Sequence, residues 1–128
     1  MRRVMAQGVF DILHPGHLHY LEESRALGDE LVVIVARDSN TDKQLHFGEE
    51  ERLELVSALG VVDKAVLGSE DDIYSTVEKI DPDVITLGYD QDHSEDEVKN
   101  LAENATGHGV KVERISSRGD YSSRNIRG

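Results

Sequence analysis

The sequence predicts an α/β protein built on a doubly wound, five-stranded parallel sheet with helices on both faces. Three observations predict it. Short apolar runs alternate with helical patterns of about ten or more residues, the signature of right-handed βαβ crossovers. One run, "ELVVIVARD" (30–38), is nearly all apolar, as a strand buried on both faces must be. The unusual residues gather just after the runs, where ligands bind in open parallel sheets.

Taken in order, "RRVMAQGVF" (2–10) reads as the first strand and residues 30–38 as the second. "KAVLG" (64–68), "DVITLG" (83–88) and "VKVERI" (110–115) supply the other three. A first helix begins near Pro15 and ends at Gly28, carrying Leu18, Leu21 and Leu27. A second spans 48–60, with Leu53, Val56 and Leu59 aligned and Gly60 as its stop. A third covers 70–80 after Ser69, a plausible N-cap. A fourth starts at Ser94, where Glu97 completes a capping box, and ends near Gly107. Residues 1–128 form a single domain on this reading, without repeats or linkers. The tail 116–128, rich in Ser, Arg and Gly, would on its own be a frayed terminus.

Composition sets further bounds. With 38% hydrophobic and 31% charged residues, the chain can bury a core. No run approaches the ~20 apolar residues of a membrane span, and no basic-then-apolar leader precedes the first strand. The absence of cysteine excludes disulfides, thiolate metal sites and cysteine nucleophiles. A cytoplasmic protein, off the membrane, is expected. A formal net charge of -12, from 26 acids against 14 bases, disfavours a nucleic-acid partner. Only 5 of those bases are lysine. Acidic, lysine-poor surfaces suit concentrated salt, where repulsion is screened over ~3 Å at 1 M; a halophilic source is one reading, an ordinary acidic protein the other.

The stretch "GVFDILHPGHLHYLEE" (8–23) carries the chemistry. Gly8 would let a ligand approach the end of the first strand. Pro15 suits the first turn of a helix, Gly16 leaves that mouth uncrowded, and a helix start offers N–H groups and partial positive charge to an anion. His14 and His17 add donors suited to phosphoryl oxygens. Two other readings stand beside this one. The histidines could ligate a metal, with only His19 and His93 as distant extras, or they could simply cap the helix. The G-x-G-x-x-G of dinucleotide enzymes and the Walker pattern are both missing.

"GVFDILHPGH" resembles the signature of the HIGH-motif nucleotidyltransferases. With "GDELVVIVARD", "EEERLELVSALGVVDKAVLG" and "DPDVITLGYDQD", most of the chain is similar to the cytidylyltransferase-like branch, nearest to archaeal FAD synthases. "VARD" and "GYDQ" point that way, since cytidylyltransferases more often show a G-D-D-W-like stretch where "GYDQ" stands. The resemblance implies a Rossmann-like fold and transfer of AMP from ATP to FMN, with Mg²⁺ accompanying the triphosphate, no metal site of the protein's own, and a possible homodimer. A cytidylyltransferase using CTP and a small phosphorylated alcohol such as glycerol 3-phosphate is the alternative. A non-catalytic nucleotide-binding module is a third reading.

The resemblance also assigns roles. His14 and His17 match the motif histidines that contact nucleotide phosphates and stabilise the pentavalent transition state. Val9 and Phe10 match the strand-end pair facing the nucleotide, with Pro15 and Gly16 completing the turn. Asp11 matches a structural brace or indirect metal contact. Lys43 stands where a phosphate-binding lysine is frequent. Arg52 matches an arginine that tightens its loop or reaches phosphate, although Glu49 or Glu50 could pair with it instead. Asp90 matches an acid near the nucleoside. Tyr121, Ser122 and Ser123 fall on the family's I-S-T-T segment, a phosphate-binding element within 116–128. Arg118 and Arg124 are rivals for the arginine beside it.

Overall fold

A computed structural model describes residues 1–40, 45–69, 73–88 and 94–116. Strands and helices alternate: β1 (Arg3–Gly8), α1 (Pro15–Arg25), β2 (Glu30–Val35), a 3-10 turn (Asp38–Asn40), α2 (Glu49–Ser57), β3 (Lys64–Leu67), α3 (Ile73–Ile80), β4 (Val84–Gly88), α4 (Glu95–Thr106) and β5 (Lys111–Ile115). The strands are all parallel and lie in the order β3-β2-β1-β4-β5. The chain thus winds outward from β1 to β3, then crosses back to add β4 and β5 on the other side. The two strands that flank this reversal, β1 and β4, bound the crevice where such sheets take ligands.

The period-2 alternation of side chains sorts the core into two layers. Val4, Ala6, Leu31, Val33, Val35 and Val84 face one way and pack with Tyr20 and Leu21 of α1 and Val56 of α2. Met5, Val32, Ile34 and Ile85 face the other way and pack with Val77 of α3 and Ala102 and Ala105 of α4. β2 contributes to both, as its unbroken apolar run requires.

Two helix ends follow directly from the sequence. Ser94 Oγ accepts from Glu97 N–H at 3.1 Å to open α4. Gly107, at φ 79, closes it in the left-handed conformation, its N–H donating to Glu103 O at 2.9 Å. Leu18 is not on the buried face of α1 but 39% exposed. That face is formed by Tyr20, Leu21 and Ser24, and at 100° per residue Leu18 lies about 110° from its centre. A serine in the buried stripe displaces the face that the leucine spacing suggests.

At the amino ends of the strands, carboxylates take up the first backbone donors: Asp29 from Arg2, Asp83 from Arg3 and Asp63 from Leu31. The same edge carries a titratable clasp. His108 places Nδ1 2.9 Å from Gly109 O and Nε2 2.7 Å from Asp81 Oδ1. Both partners are acceptors, so the doubly protonated ring suits the clasp best. The Gly109 carbonyl, and after it the Asp81 carboxylate, hold the His108 pKa above its ordinary value. A raised folded-state pKa adds stability that is fully present below the unfolded value of about 6.5 and is lost as pH rises through the folded value. We expect Asp81→Asn to lower the melting temperature at about pH 5.5 and to differ less from the parent at about pH 8.5. An equal deficit at both values, in thermal scans followed by circular dichroism, would rule out the clasp.

Candidate active site

The chain leaves β1 through a tight turn. Phe10 takes φ 55 and is buried, at 3% exposure. Its ring folds back over Gly8: a Cβ added there would lie 2.8 Å from two ring carbons. Gly8 therefore makes room for the Phe10 ring. The Phe10 ring also lies 5.5 Å from that of His17, tilted by 59°. A buried aromatic thus backs one of the two motif imidazoles.

His14 is the N-cap of α1 and Pro15 stands within its first turn. Gly16 N–H donates to His14 Nδ1 at 3.0 Å, and His14 N–H donates to His17 Nδ1 at 3.2 Å. This is a capping box in which imidazoles replace the usual hydroxyl and carboxylate. The next donors turn inward, with His17 and Leu18 N–H bonded to His14 O at 2.9 and 3.2 Å. Pro15 has none to offer. The helix mouth therefore does not present bare N–H groups, and the sequence expectation is revised on that point. In the neutral rings, an accepting Nδ1 puts the proton on Nε2. The rings lie 3.9 Å apart, inclined at 37°, which sets two Nε2–H groups side by side at the positive end of a helix. Capping, which uses Nδ1, does not by itself exclude the phosphate-binding reading of these histidines.

Around this turn the loops are bound together. Arg52, at 0% exposure, donates from Nη1 to Val9 O and Ala36 O at 2.8 Å each, from Nε to Phe47 O at 3.1 Å, and from Nη2 to Asp38 Oδ1 at 2.6 Å. Four acceptors from three segments meet on one guanidinium. Of the roles considered for Arg52, bracing is what this geometry performs. Four of its five N–H donors are committed in this way, and pairing with Glu49 or Glu50 is not what occupies it. Glu49 instead binds Arg37 Nη1 at 2.9 Å and exchanges hydrogen bonds with Asp38.

Asp11 makes the second tie. Its carboxylate accepts from His46 N–H at 2.9 Å, Phe47 N–H at 3.0 Å and His46 Nδ1 at 2.9 Å. Burial pushes the Asp11 pKa up, but the hydrogen bonds from the His46 ring and from the His46 and Phe47 backbone outweigh it and hold the group below its ordinary value. Sequence reasoning did not single out Asp38, His46 or Phe47; apart from Phe47 O with Arg52, five residues on, their partners are 11 to 36 residues away, and no local pattern announces such pairs.

Val9, Phe10, His14, Pro15, Gly16 and His17 thus come together at the carboxyl end of β1. Lys43, Asp90, Arg118, Tyr121, Ser122, Ser123 and Arg124 lie outside the described residues, as does His93. Among the described residues, no group of three or more His, Cys, Asp or Glu side chains is arranged to hold a metal ion.

A doubly wound parallel sheet with two imidazole donors at its β1 turn defines a nucleotide-binding α/β protein. The family model described as cytidylyltransferase-like matches residues 5–128, and the chain belongs to that family. An FAD synthase from Thermoplasma volcanium is 57% identical over 119 residues, which are 91% of this chain and 83% of the relative. One from Natrialba magadii is 53% identical over 119 residues, 91% of this chain and 80% of the relative. A crystal structure from Thermoplasma volcanium, described as a lipopolysaccharide core biosynthesis protein, superposes with a TM-score of 0.87 at 56% identity, covering 92% of this chain and 98% of that one.

The buried guanidinium gives a direct test of the brace. Arg52→Met should destabilise the protein by about 3 kcal/mol, because three part-buried carbonyls and a carboxylate lose a donor that is itself fully buried. Arg52→Lys should recover less than half of that, since one ammonium does not reproduce the planar fork. Urea unfolding with an unchanged slope would report both.

Proposed function

We propose that this chain is an FMN adenylyltransferase: it transfers AMP from ATP to FMN, yielding FAD and pyrophosphate. One observation carries the choice of reaction, namely identities above 50% to FAD synthases over about nine-tenths of the chain. The geometry supports the chemistry. An oxygen of the FMN phosphate forms a bond to the α-phosphorus while the bond from that phosphorus to the bridging oxygen breaks, and pyrophosphate leaves. The acceptor is already an anion, so no protein nucleophile is needed. Positioning and charge neutralisation are the work left to the protein.

In this reading the Nε2–H groups of His14 and His17 contact phosphate oxygens and strengthen their bonds as charge shifts in the transition state. Val9, Phe10, Pro15 and Gly16 form the wall against the nucleotide. Lys43 contributes a cation from the stretch between Asp38, which is tied to Glu49, and His46, which is tied to Asp11. Asp90 lies near the nucleoside, and Tyr121, Ser122 and Ser123, with Arg118 or Arg124, hold the triphosphate. Mg²⁺ enters as part of the nucleotide substrate and offsets phosphate repulsion. The reaction takes place in the cytoplasm. No helix among the described residues is long and apolar enough to cross a membrane.

Pyrophosphate release, measured with ATP or CTP against FMN or glycerol 3-phosphate in the presence of Mg²⁺, decides the substrates. ATP with FMN should be turned over. Turnover only with CTP and glycerol 3-phosphate would establish the alternative instead. His17→Gln is the informative variant, because glutamine at this helix position can keep the cap while removing the imidazole. It should fold normally and lose about 100-fold in kcat, near 2.7 kcal/mol; parent-like turnover would remove His17 from the mechanism.

A further inference from the structure

Neighbouring parallel strands ordinarily pair along their shared length through evenly spaced hydrogen bonds. β1 and β2 do so from Arg3↔Glu30 to Gly8↔Val35, and β4 and β5 from Val84↔Lys111 to Gly88↔Ile115. β1 and β4 do not. They pair only at Val4↔Val84 and Met5↔Ile85. If that register continued, Gln7 would face Leu87, and Gln7 N–H would donate to Thr86 O. Instead, the Tyr20 hydroxyl stands between them. It accepts from Gln7 N–H at 3.3 Å and donates to Thr86 O at 2.8 Å. Two contacts in series replace one of about 2.9 Å, so the strands part at this level.

The insertion is built, not incidental. Tyr20 is 9% exposed, Ser24 and Thr86 are 0% exposed, and their hydroxyls form one cluster. Thr86 Oγ1 lies 3.2 Å from Tyr20 Oη and 2.8 Å from Ser24 Oγ, while Ser24 Oγ donates to Tyr20 O at 2.7 Å. The Gln7 side chain adds a second link across the gap, Nε2 donating to Thr86 O at 2.7 Å. Tyr20 also sits three residues after His17 on the same side of α1. One helix therefore carries both the imidazoles and the group that separates the strands.

We propose that Tyr20 is a positioning residue whose hydroxyl, inserted between Gln7 N–H and Thr86 C=O, holds β1 and β4 apart and sets the width of the crevice that receives the nucleoside triphosphate. This rests on the proposed function for the identity of the ligand, but the spacer itself is a separate claim. Tyr20→Phe keeps the ring and removes only the inserted oxygen, letting Gln7 N–H close directly onto Thr86 O. Steady-state kinetics with ATP and FMN should then show KM for ATP raised about ten-fold with kcat changed less than about three-fold. Thr86→Val removes the supporting hydroxyl but not the main-chain carbonyl, and should leave KM for ATP within about two-fold.

An unchanged KM in Tyr20→Phe overturns the proposal. So does an equal rise in both variants, which would mean general loosening of the cluster. Nuclear magnetic resonance gives a readout independent of turnover. A through-hydrogen-bond coupling between Gln7 N and the Thr86 carbonyl should be absent in the parent and appear in Tyr20→Phe; its presence in the parent would overturn the spacer even if the variant failed to fold. A parent protein that shows this spectroscopic pattern but no turnover of ATP with FMN would refute the function and leave the spacer standing.

Discussion

Two hydrogen bonds at the start of α1, from Gly16 N–H to His14 Nδ1 and from His14 N–H to His17 Nδ1, constrain the chemistry of the whole site. An ordinary capping box would place a hydroxyl and a carboxylate there. The hydroxyl would be consumed in capping, and the carboxylate would repel a phosphate. Imidazoles solve both problems because they have two nitrogens on opposite sides of a rigid ring. One satisfies the helix, and the other carries a proton in a direction set by the first. The helix end keeps its partial positive charge, now expressed through side-chain donors rather than backbone ones. Phe10 behind His17 fixes that ring's position, and Gly8 exists to admit Phe10. The unusual residues of this turn are thus successive requirements of one arrangement.

The second constraint is charge. A chain at -12 that must gather polyphosphate needs its few cations held in fixed places. Many of its arginines act inside the fold as cross-links between segments. Arg3 joins Glu30 to Ile80 O, Arg37 joins Gly68 O to Glu49, Arg52 gathers three carbonyls and Asp38, and Arg114 joins Gly88 O to Glu95. Each ties a strand or its end to a neighbouring loop or helix. A planar fork with five donors can satisfy carbonyl and carboxylate together, which an ammonium cannot do with the same geometry. The excess of arginine over lysine therefore has a structural use in addition to any relation to salt. Exposed pairs such as Arg114 with Glu95 contribute little to stability; the enclosed Arg52 is different, because its removal takes one buried donor from three part-buried carbonyls at once.

Much of this was legible in the sequence, and what was not has physical reasons. Strand positions were readable because a buried parallel strand is apolar on both sides, as "ELVVIV" is. The ends of α4 were readable because Ser94 and Gly107 act on their own helix. The two imidazoles were readable as a pair, since their spacing and the neighbouring proline belong to one turn. Long-range satisfaction was not readable. Asp11 meets His46 and Arg52 meets Val9 only after the sheet has brought their loops together. The buried face of α1 was not readable either, because amphipathic spacing counts Ser24 as polar, and a serine that bonds its own helix at Tyr20 O can be buried at small cost. The second strand was read three residues too long, because Ala36 still donates to Gly8 O before Asp38 turns the chain.

These features also explain how a site without a protein nucleophile can be demanding about its scaffold. When the reacting groups belong to the substrates, the rate depends on holding them in line, and displacements of an ångström matter. An open parallel sheet supplies a crevice by topology, because successive crossovers leave β1 and β4 in opposite directions. Topology alone does not set its width. Backbone donors and acceptors facing each other across two strands tend to pair, since leaving them unpaired away from water is costly. Something must satisfy them individually for the gap to persist. A phenol can do so, as donor to one strand and acceptor from the other, and its aromatic body anchors it in the apolar layer beneath α1. Because that phenol and the imidazoles share a helix, any shift of α1 along the sheet moves crevice and donors together, preserving their relative placement.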